Sequence, residues 1–359
     1  MGILTSKDAG NSEMDGELRR LLESKKAEIR VIGAGGAGGN TISRLMQVGI
    51  VGAEALAVNT DAQDLLYTDA DVKVLIGKEI TSGLGAGADP KIGEEAAKEG
   101  KNDVKKMIEG SDMVFITCGL GGGTGTGSAP VIAEISKKMG ALTVGVVTLP
   151  FTMEGKQRMT NARSGLEKLE KIVDTLIVIP NDKLLEIVPD VSLSTAFKVA
   201  DEVLVNAVKG ITELVTRPGL VNLDFADIRA VMDDGGLAMI GMGDSDTENR
   251  AIEAVERALN NPLLDIDIDG AKGALINVSG GVDITIRECQ EIVEAVATRL
   301  SPDAKIIWGA QIVKELGDSI RTMLIVTGVD SPQIFGPQKT FESEKKKEME
   351  KVLGVDIIE

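Results

Sequence analysis

The chain has no histidine among its 359 residues. This removes imidazole as metal ligand, as general base and as partner of a serine or cysteine nucleophile. There are only two cysteines, Cys118 and Cys289. They lie far apart and form no metal-type cluster, so reduced, buried thiols in a cytosolic protein are expected. Positive charge is also scarce, with 39 basic against 56 acidic side chains and a formal net charge of -17. A general nucleic-acid binder needs clustered Lys and Arg and is argued against. No apolar run approaches the roughly 20 residues of a membrane span. The longest, residues 141–151, reads as a buried strand, and the polar start has no secretory apolar core. What remains for chemistry is carboxylates, amides, hydroxyls, backbone N–H groups or a borrowed cation.

The composition, 43% hydrophobic and 26% charged, is that of a globular protein, and the length suggests two domains. Residues 1–27 are polar and charged, with a short amphipathic stretch at Leu18, Leu21 and Leu22, and read as a flexible N-terminal arm. Strand patterns at 29–32, 55–58, 72–76, 113–117, 142–148 and 176–179 alternate with helix patterns at 41–48, 92–109, 130–139 and 158–171. Such alternation predicts an α/β, Rossmann-like parallel sheet over 28–192, with ligands bound beyond the carboxyl ends of its strands. Residues 193–216 are apolar on nearly every side and predict a buried central helix, with the linking segment running to 219. A second, smaller α+β domain is expected over 220–330, followed by a tail, 331–359. That tail is charged at 342–351 and ends in an apolar patch at 352–358, either a frayed end or a docking peptide.

The first strand runs into Gly33-Ala34-Gly35-Gly36-Ala37-Gly38-Gly39-Asn40 before a helix. Glycines allow close backbone approach, and a helix N-terminus offers unpaired N–H groups to a phosphate. Alone this also fits a dinucleotide fingerprint, with Asp61 about where its ribose-binding acid falls. A second loop, Gly119 to Pro130, carries six glycines in the nine residues from Gly119 to Gly127, with Thr124 and Thr126. It predicts a nest for a polyphosphate, in front of a helix that Pro130 helps start. No G-x-x-x-x-G-K-[ST] occurs, so two glycine loops on neighbouring βα junctions point to a nucleoside triphosphate held without a Walker lysine.

The segment GGGTGTGSAP resembles the signature loop of the tubulin superfamily, in the form carried by its FtsZ branch of cell-division GTPases. VIGAGGAGGN, AVNTDAQ, GLGAGADP, FTMEGKQRM, IPNDKLLEIV, AFKVADEVL and RPGLVNLDFADIRAVM resemble segments of that branch in family order, covering residues 29–329. TLPF at 148–151 is more like the archaeal than the bacterial form. The resemblance implies a tubulin/FtsZ-like fold and a site for GTP or GDP with Mg²⁺ held through the phosphates. Gly36, Ala37, Gly38, Gly39 and Asn40, with Gly121, Gly122, Gly123, Thr124, Gly125 and Thr126, would cradle the phosphates. Ala86 and Gly87 would lie near the γ-phosphate, in what is otherwise a simple glycine turn. Glu154 and Arg158 are an ordinary i,i+4 pair that the resemblance places at the ribose and phosphate side. A buried carboxylate is costly unless partnered. The N1–H and N2–H donors of a guanine would satisfy Asp201, with Phe197 packing on the ring and Asn181 as a further base contact.

Asp224 and Asp227 stand three apart at a helix start, where capping accounts for both. The resemblance adds that Asn222, Asp224 and Asp227 enter the nucleotide site of the next subunit and position the attacking water. This implies a head-to-tail filament and a cytokinetic role at the cytoplasmic division site with recruitment by a membrane adaptor. The tail lies outside the resemblance, and its apolar patch is a candidate docking site for that adaptor. Two other readings are a dinucleotide-dependent oxidoreductase using Asp61, for which Tyr67 is the only tyrosine base, and a nucleotide-binding structural or regulatory relative that hydrolyses weakly. Loss of the acids would mark the latter, and they are present.

Overall fold

The computed structural model describes residues 27–187, 191–217, 219–221, 223–264, 268 and 271–329. Nearly all of the expected arm, the whole of the expected tail, Pro218 and the candidate Asn222 lie outside the described residues.

The first half alternates strand and helix: β1 (Ile29–Ala34), α1 (Gly35–Val48), β2 (Ala53–Asn59), α2 (Ala62–Tyr67), β3 (Val72–Leu75) and α3 (Lys78–Thr81). Next come α4 (Pro90–Glu99), α5 (Lys101–Ile108), β4 (Met113–Gly119), α6 (Thr124–Lys138), β5 (Leu142–Leu149), α7 (Lys156–Glu170) and β6 (Thr175–Pro180). Then follow α8 (Asn181–Ile187), the 24-residue α9 (Leu193–Thr216) and α10 (Phe225–Met232). The second half holds β7 (Gly236–Ser245), α11 (Arg250–Leu259), β8 (Gly273–Gly280), α12 (Ile286–Ala297), β9 (Lys305–Ile312) and β10 (Ile320–Thr327).

Strand order is β3-β2-β1-β4-β5-β6-β7-β10-β8-β9 in one ten-stranded sheet. Strands β1 to β6 pair in parallel, β10 runs antiparallel to both β7 and β8, and β8 and β9 are parallel. The second half therefore has the expected mixed character. It is not a separate sheet, because Thr175, Leu176 and Ile177 of β6 pair with Gly236, Leu237 and Ala238 of β7.

Both faces are covered, and the strands show it. Val114, Ile116 and Cys118 of β4 enter one apolar core, whereas Met113 and Phe115 enter the other. Period-two alternation with apolar residues on both faces is what a buried parallel strand requires. The second core also takes up Ala200, Val203, Leu204, Val208 and Ile211 of α9. Burial is less complete than the pattern suggested, since Phe197 is 40% exposed. Cys118 is fully buried, which pushes its thiol up to about 12, and burial also raises Cys289; both are free thiols.

Three helix boundaries differ from the sequence pattern. The glycine loops form first helical turns themselves, so α1 and α6 begin at Gly35 and Thr124. Pro130 consequently sits inside α6 rather than at its start. The single helix expected over 92–109 is broken at Gly100, where an added Cβ would lie 2.6 Å from the Ile76 side chain.

Candidate functional site

In a parallel sheet the strand order reverses direction between β1 and β4, and such switch points open a crevice at the carboxyl ends. Both glycine loops are there. They interlock: a Cβ on Gly35, whose φ is +70°, would come 2.8 Å from the Gly125 nitrogen, and one on Gly125 would come 2.9 Å from the Ala34 oxygen. Helices α1 and α6 thus start side by side, with first-turn N–H groups that have no helical acceptor. Gly36, Ala37 and Asn40 are exposed, while Gly38 and Gly39 are buried behind them.

The second loop is closed from within. Thr126, 2% exposed, accepts the Gly121 N–H at 2.9 Å through Oγ1, so its hydroxyl shapes the loop. The Thr124 hydroxyl pairs with that of Thr60 at 2.6 Å. Gly123 packs on the loop bearing Ala86 and Gly87, where an added Cβ would lie 2.5 Å from the Gly87 oxygen. Gly122 differs, having nothing within 4 Å of an added Cβ. Sequence reasoning missed Asn161, whose Nδ2 donates to Ala88 O at 3.0 Å and Gly121 O at 3.4 Å and so ties the two loops together. Its signal was its place on α7 one turn beyond Arg158. Arg158 pairs with Glu154 at 3.2 Å, and Glu154 also accepts the Phe151 N–H at 2.8 Å.

On the far side of α1, Asp201 projects from α9. Burial pushes its carboxyl up to about 6, while Thr41 and Arg44 pull partly the other way. Phe197 packs edge-on against Phe151, with ring centroids 5.3 Å apart. Asn181, 5% exposed, follows β6, and its buried Oδ1 has no hydrogen-bond partner among the described residues. Asp61 caps α2, accepting the Gln63 and Asp64 N–H groups at 2.9 and 3.0 Å through Oδ1, a structural role that accounts for an acid at this position.

The remaining acids lie elsewhere. Asp224 precedes α10 as its N-cap residue, and the Asp227 carboxylate accepts the Asp224 N–H at 3.2 Å. Both are exposed. Arg229 of α10 donates to Gly140 O just before β5, and Thr175, opening β6, donates to Met232 O. Helix α10 therefore sits at the amino ends of the strands. The glycine loop is at the other end, where Leu120 N donates to Thr148 O. Eight-residue β5 separates the two ends by roughly 26 Å at strand rise. One copy of the chain cannot bring these acids to its own phosphate loops.

A family model described as the Tubulin/FtsZ family, GTPase domain, matches residues 28–189, and one described as the FtsZ family, C-terminal domain, matches 236–330. The chain belongs to the tubulin/FtsZ family. It is similar to "Cell division protein FtsZ 1" of Thermococcus kodakarensis, 64% identical over 321 residues that cover 89% of this chain and 86% of the relative. Among solved structures, "FtsZ dimer, empty (M. jannaschii)" superposes with a TM-score of 0.85 at 62% identity, covering 90% of this chain and 93% of that one. "CetZ1 from Haloferax volcanii - GDP bound monomer" gives 0.76 at 25% identity, covering 88% and 99%. The match to the family's GTPase domain therefore spans the half of the sheet that carries both glycine loops and the Ala86–Gly87 turn, whereas Asp201 lies beyond it on α9.

Proposed function

We propose that this chain is a GTP-hydrolysing cell-division protein that assembles head to tail, each copy completing the nucleotide site of the next. The observation that carries this reading is the placement of Asp224 and Asp227 at the end of the sheet opposite the glycine loops. The phosphates lie on the N-termini of α1 and α6, along Gly36 to Asn40 and Gly121 to Thr124, with Gly125 and Thr126 holding the loop in shape. Ala86 and Gly87 face the γ-phosphate. Glu154 and Arg158 take the ribose side, and Asp201, Asn181 and Phe197 take the guanine, whose N1–H and N2–H donors suit an ionised carboxylate.

From the neighbouring copy, Asp224 and Asp227, with Asn222, orient the water that attacks the γ-phosphate. Phosphoryl transfer depends mainly on alignment and on neutralising phosphate charge, which suits a chain without imidazole. Mg²⁺ accompanying the nucleotide would supply charge neutralisation there, with no described side-chain cluster required to hold it. A contact made by the front of one copy and the back of another is heterologous and builds open filaments. Hydrolysis then weakens that contact and lets the filament turn over. No helix among the described residues is long and apolar enough to cross a membrane. Recruitment to the cytoplasmic face of the division site therefore falls to an adaptor, with the apolar C-terminal patch as its docking peptide. Sedimentation with GTP and with GDP tests this: pelleted filaments with GTP above a threshold concentration are expected, and equal pelleting with either nucleotide contradicts it.

The open position in the loop gives a sharper test of the phosphate site. Gly122→Ala adds a methyl group where the free protein has space, so its thermal unfolding should match wild type while GTP affinity falls by about tenfold or more, on the order of 1.4 kcal/mol. Gly123→Ala forces the Ala86–Gly87 turn to move and should lose about 1–3 kcal/mol of stability. Calorimetric unfolding and GTP titration separate the two.

A further inference from the structure

Helix α10 is only eight residues long, and its exposed N-terminus carries both acids. Its rear is fixed by burial of Ile228, Val231 and Met232 and by the Thr175 hydroxyl on Met232 O. Arg229, in the last turn of the helix, reaches both back to its front and across to the first half of the chain. Its guanidinium lies 5.4 Å from the Phe225 ring centroid, the i,i+4 neighbour on the same helix face. Its Nη2 donates to Gly140 O at 3.1 Å, across 89 residues of sequence. Gly140, at φ +84°, ends the turn that closes α6, where carbonyl oxygens and the negative end of the helix dipole favour a cation. The other end of α6 is the phosphate loop. One planar side chain thus lies against Phe225, the residue that follows Asp224, and docks it on the helix that leads from the nucleotide site.

We infer that Arg229 is a positioning residue for hydrolysis: it sets the angle at which α10 presents Asp224 and Asp227 to the neighbouring copy's nucleotide. This rests on the head-to-tail reading above. Displacements of about 1 Å at such groups cost on the order of 10²-fold in rate. The full-length chain carrying Arg229→Ala should bind GTP like wild type, yet turn over GTP about 10- to 100-fold more slowly per assembled subunit. Arg229→Lys, which keeps a donor for Gly140 O but loses the stacked plane, should recover part of the rate.

Mixing identifies whose site suffers. Asp201→Ala subunits have a defective guanine site but an intact α10, so adding them to Arg229→Ala subunits should restore turnover to the level of an Asp224→Ala plus Asp201→Ala mixture. Adding Asp224→Ala subunits to Arg229→Ala subunits should restore nothing. Wild-type turnover by Arg229→Ala overturns the inference and leaves the shared site standing. So does a slow Arg229→Ala that Asp201→Ala fails to rescue while Asp224→Ala is rescued. If even the Asp224→Ala plus Asp201→Ala mixture stays inactive, the head-to-tail reading fails and takes the inference with it.

Discussion

Replacing Asp224 by alanine should lower GTP turnover by about 10²- to 10³-fold while leaving GTP binding to separate subunits unchanged. Asp224 stands at the amino ends of the strands, away from the phosphate loops of its own chain, so its loss has no direct route to affinity. It does have a route to stability, because it is the N-cap residue of α10, and alanine at such a position costs about 0.5–2 kcal/mol. Asp224→Asn separates the two roles. Asparagine caps as well as aspartate but brings no charge to a water molecule. Unfolding like wild type with turnover still depressed assigns the acid to hydrolysis. Recovery of both by asparagine reduces it to a cap. Steady-state phosphate release, with calorimetry on the same samples, gives the comparison.

Asp201→Ala should weaken GTP binding by about 10²-fold or more, since two hydrogen bonds to a charged acceptor are each worth roughly 1.5–3 kcal/mol. Its titration adds a signature that other site residues do not share. Burial raises this carboxyl to about 6, and only the ionised form accepts both guanine donors. The sign follows directly. Above pH 7 affinity should be flat, and below pH 6 it should fall about tenfold per pH unit as the proton competes with the base. The same raised value makes this group's contribution to the empty fold greatest below its unfolded value, 3.8, and lost as pH rises through about 6. Bound guanine should therefore stabilise the protein more at pH 7 than at pH 5. Nucleotide phosphates titrate near pH 6 as well. The control is Asp201→Asn, which gains no proton there and whose profile carries the phosphate titration alone.

Features set by a few adjacent residues were readable in the sequence. Strand ends followed by glycine runs marked β1 with α1 and β4 with α6, because close backbone approach demands glycine locally. Asp201 stood out because a carboxylate among Val199, Val203 and Leu204 needs a partner. Features set by long-range packing were hidden. Asn161 meets Ala88 across 73 residues and Gly121 across 40. The acceptance of the Gly121 N–H by the Thr126 hydroxyl closes the loop on itself in a way the spacing alone does not show. Helix starts moved because glycine patterns read as loop even where Gly127 N already donates to Gly123 O. Joining of the two halves through β6 and β7 depends on three residue pairs, too few to leave a pattern. The separation of Asp224 from the glycine loops follows from parallel strand direction, so it appeared only once the sheet was assembled.

The shared site is tested most directly by GTP turnover per molecule, with Mg²⁺ present, across a wide range of protein concentration. Sites completed by a neighbour predict almost no turnover at low concentration and a rise beyond a threshold. Constant turnover per molecule at every concentration would mean that each copy hydrolyses alone and would contradict head-to-tail completion.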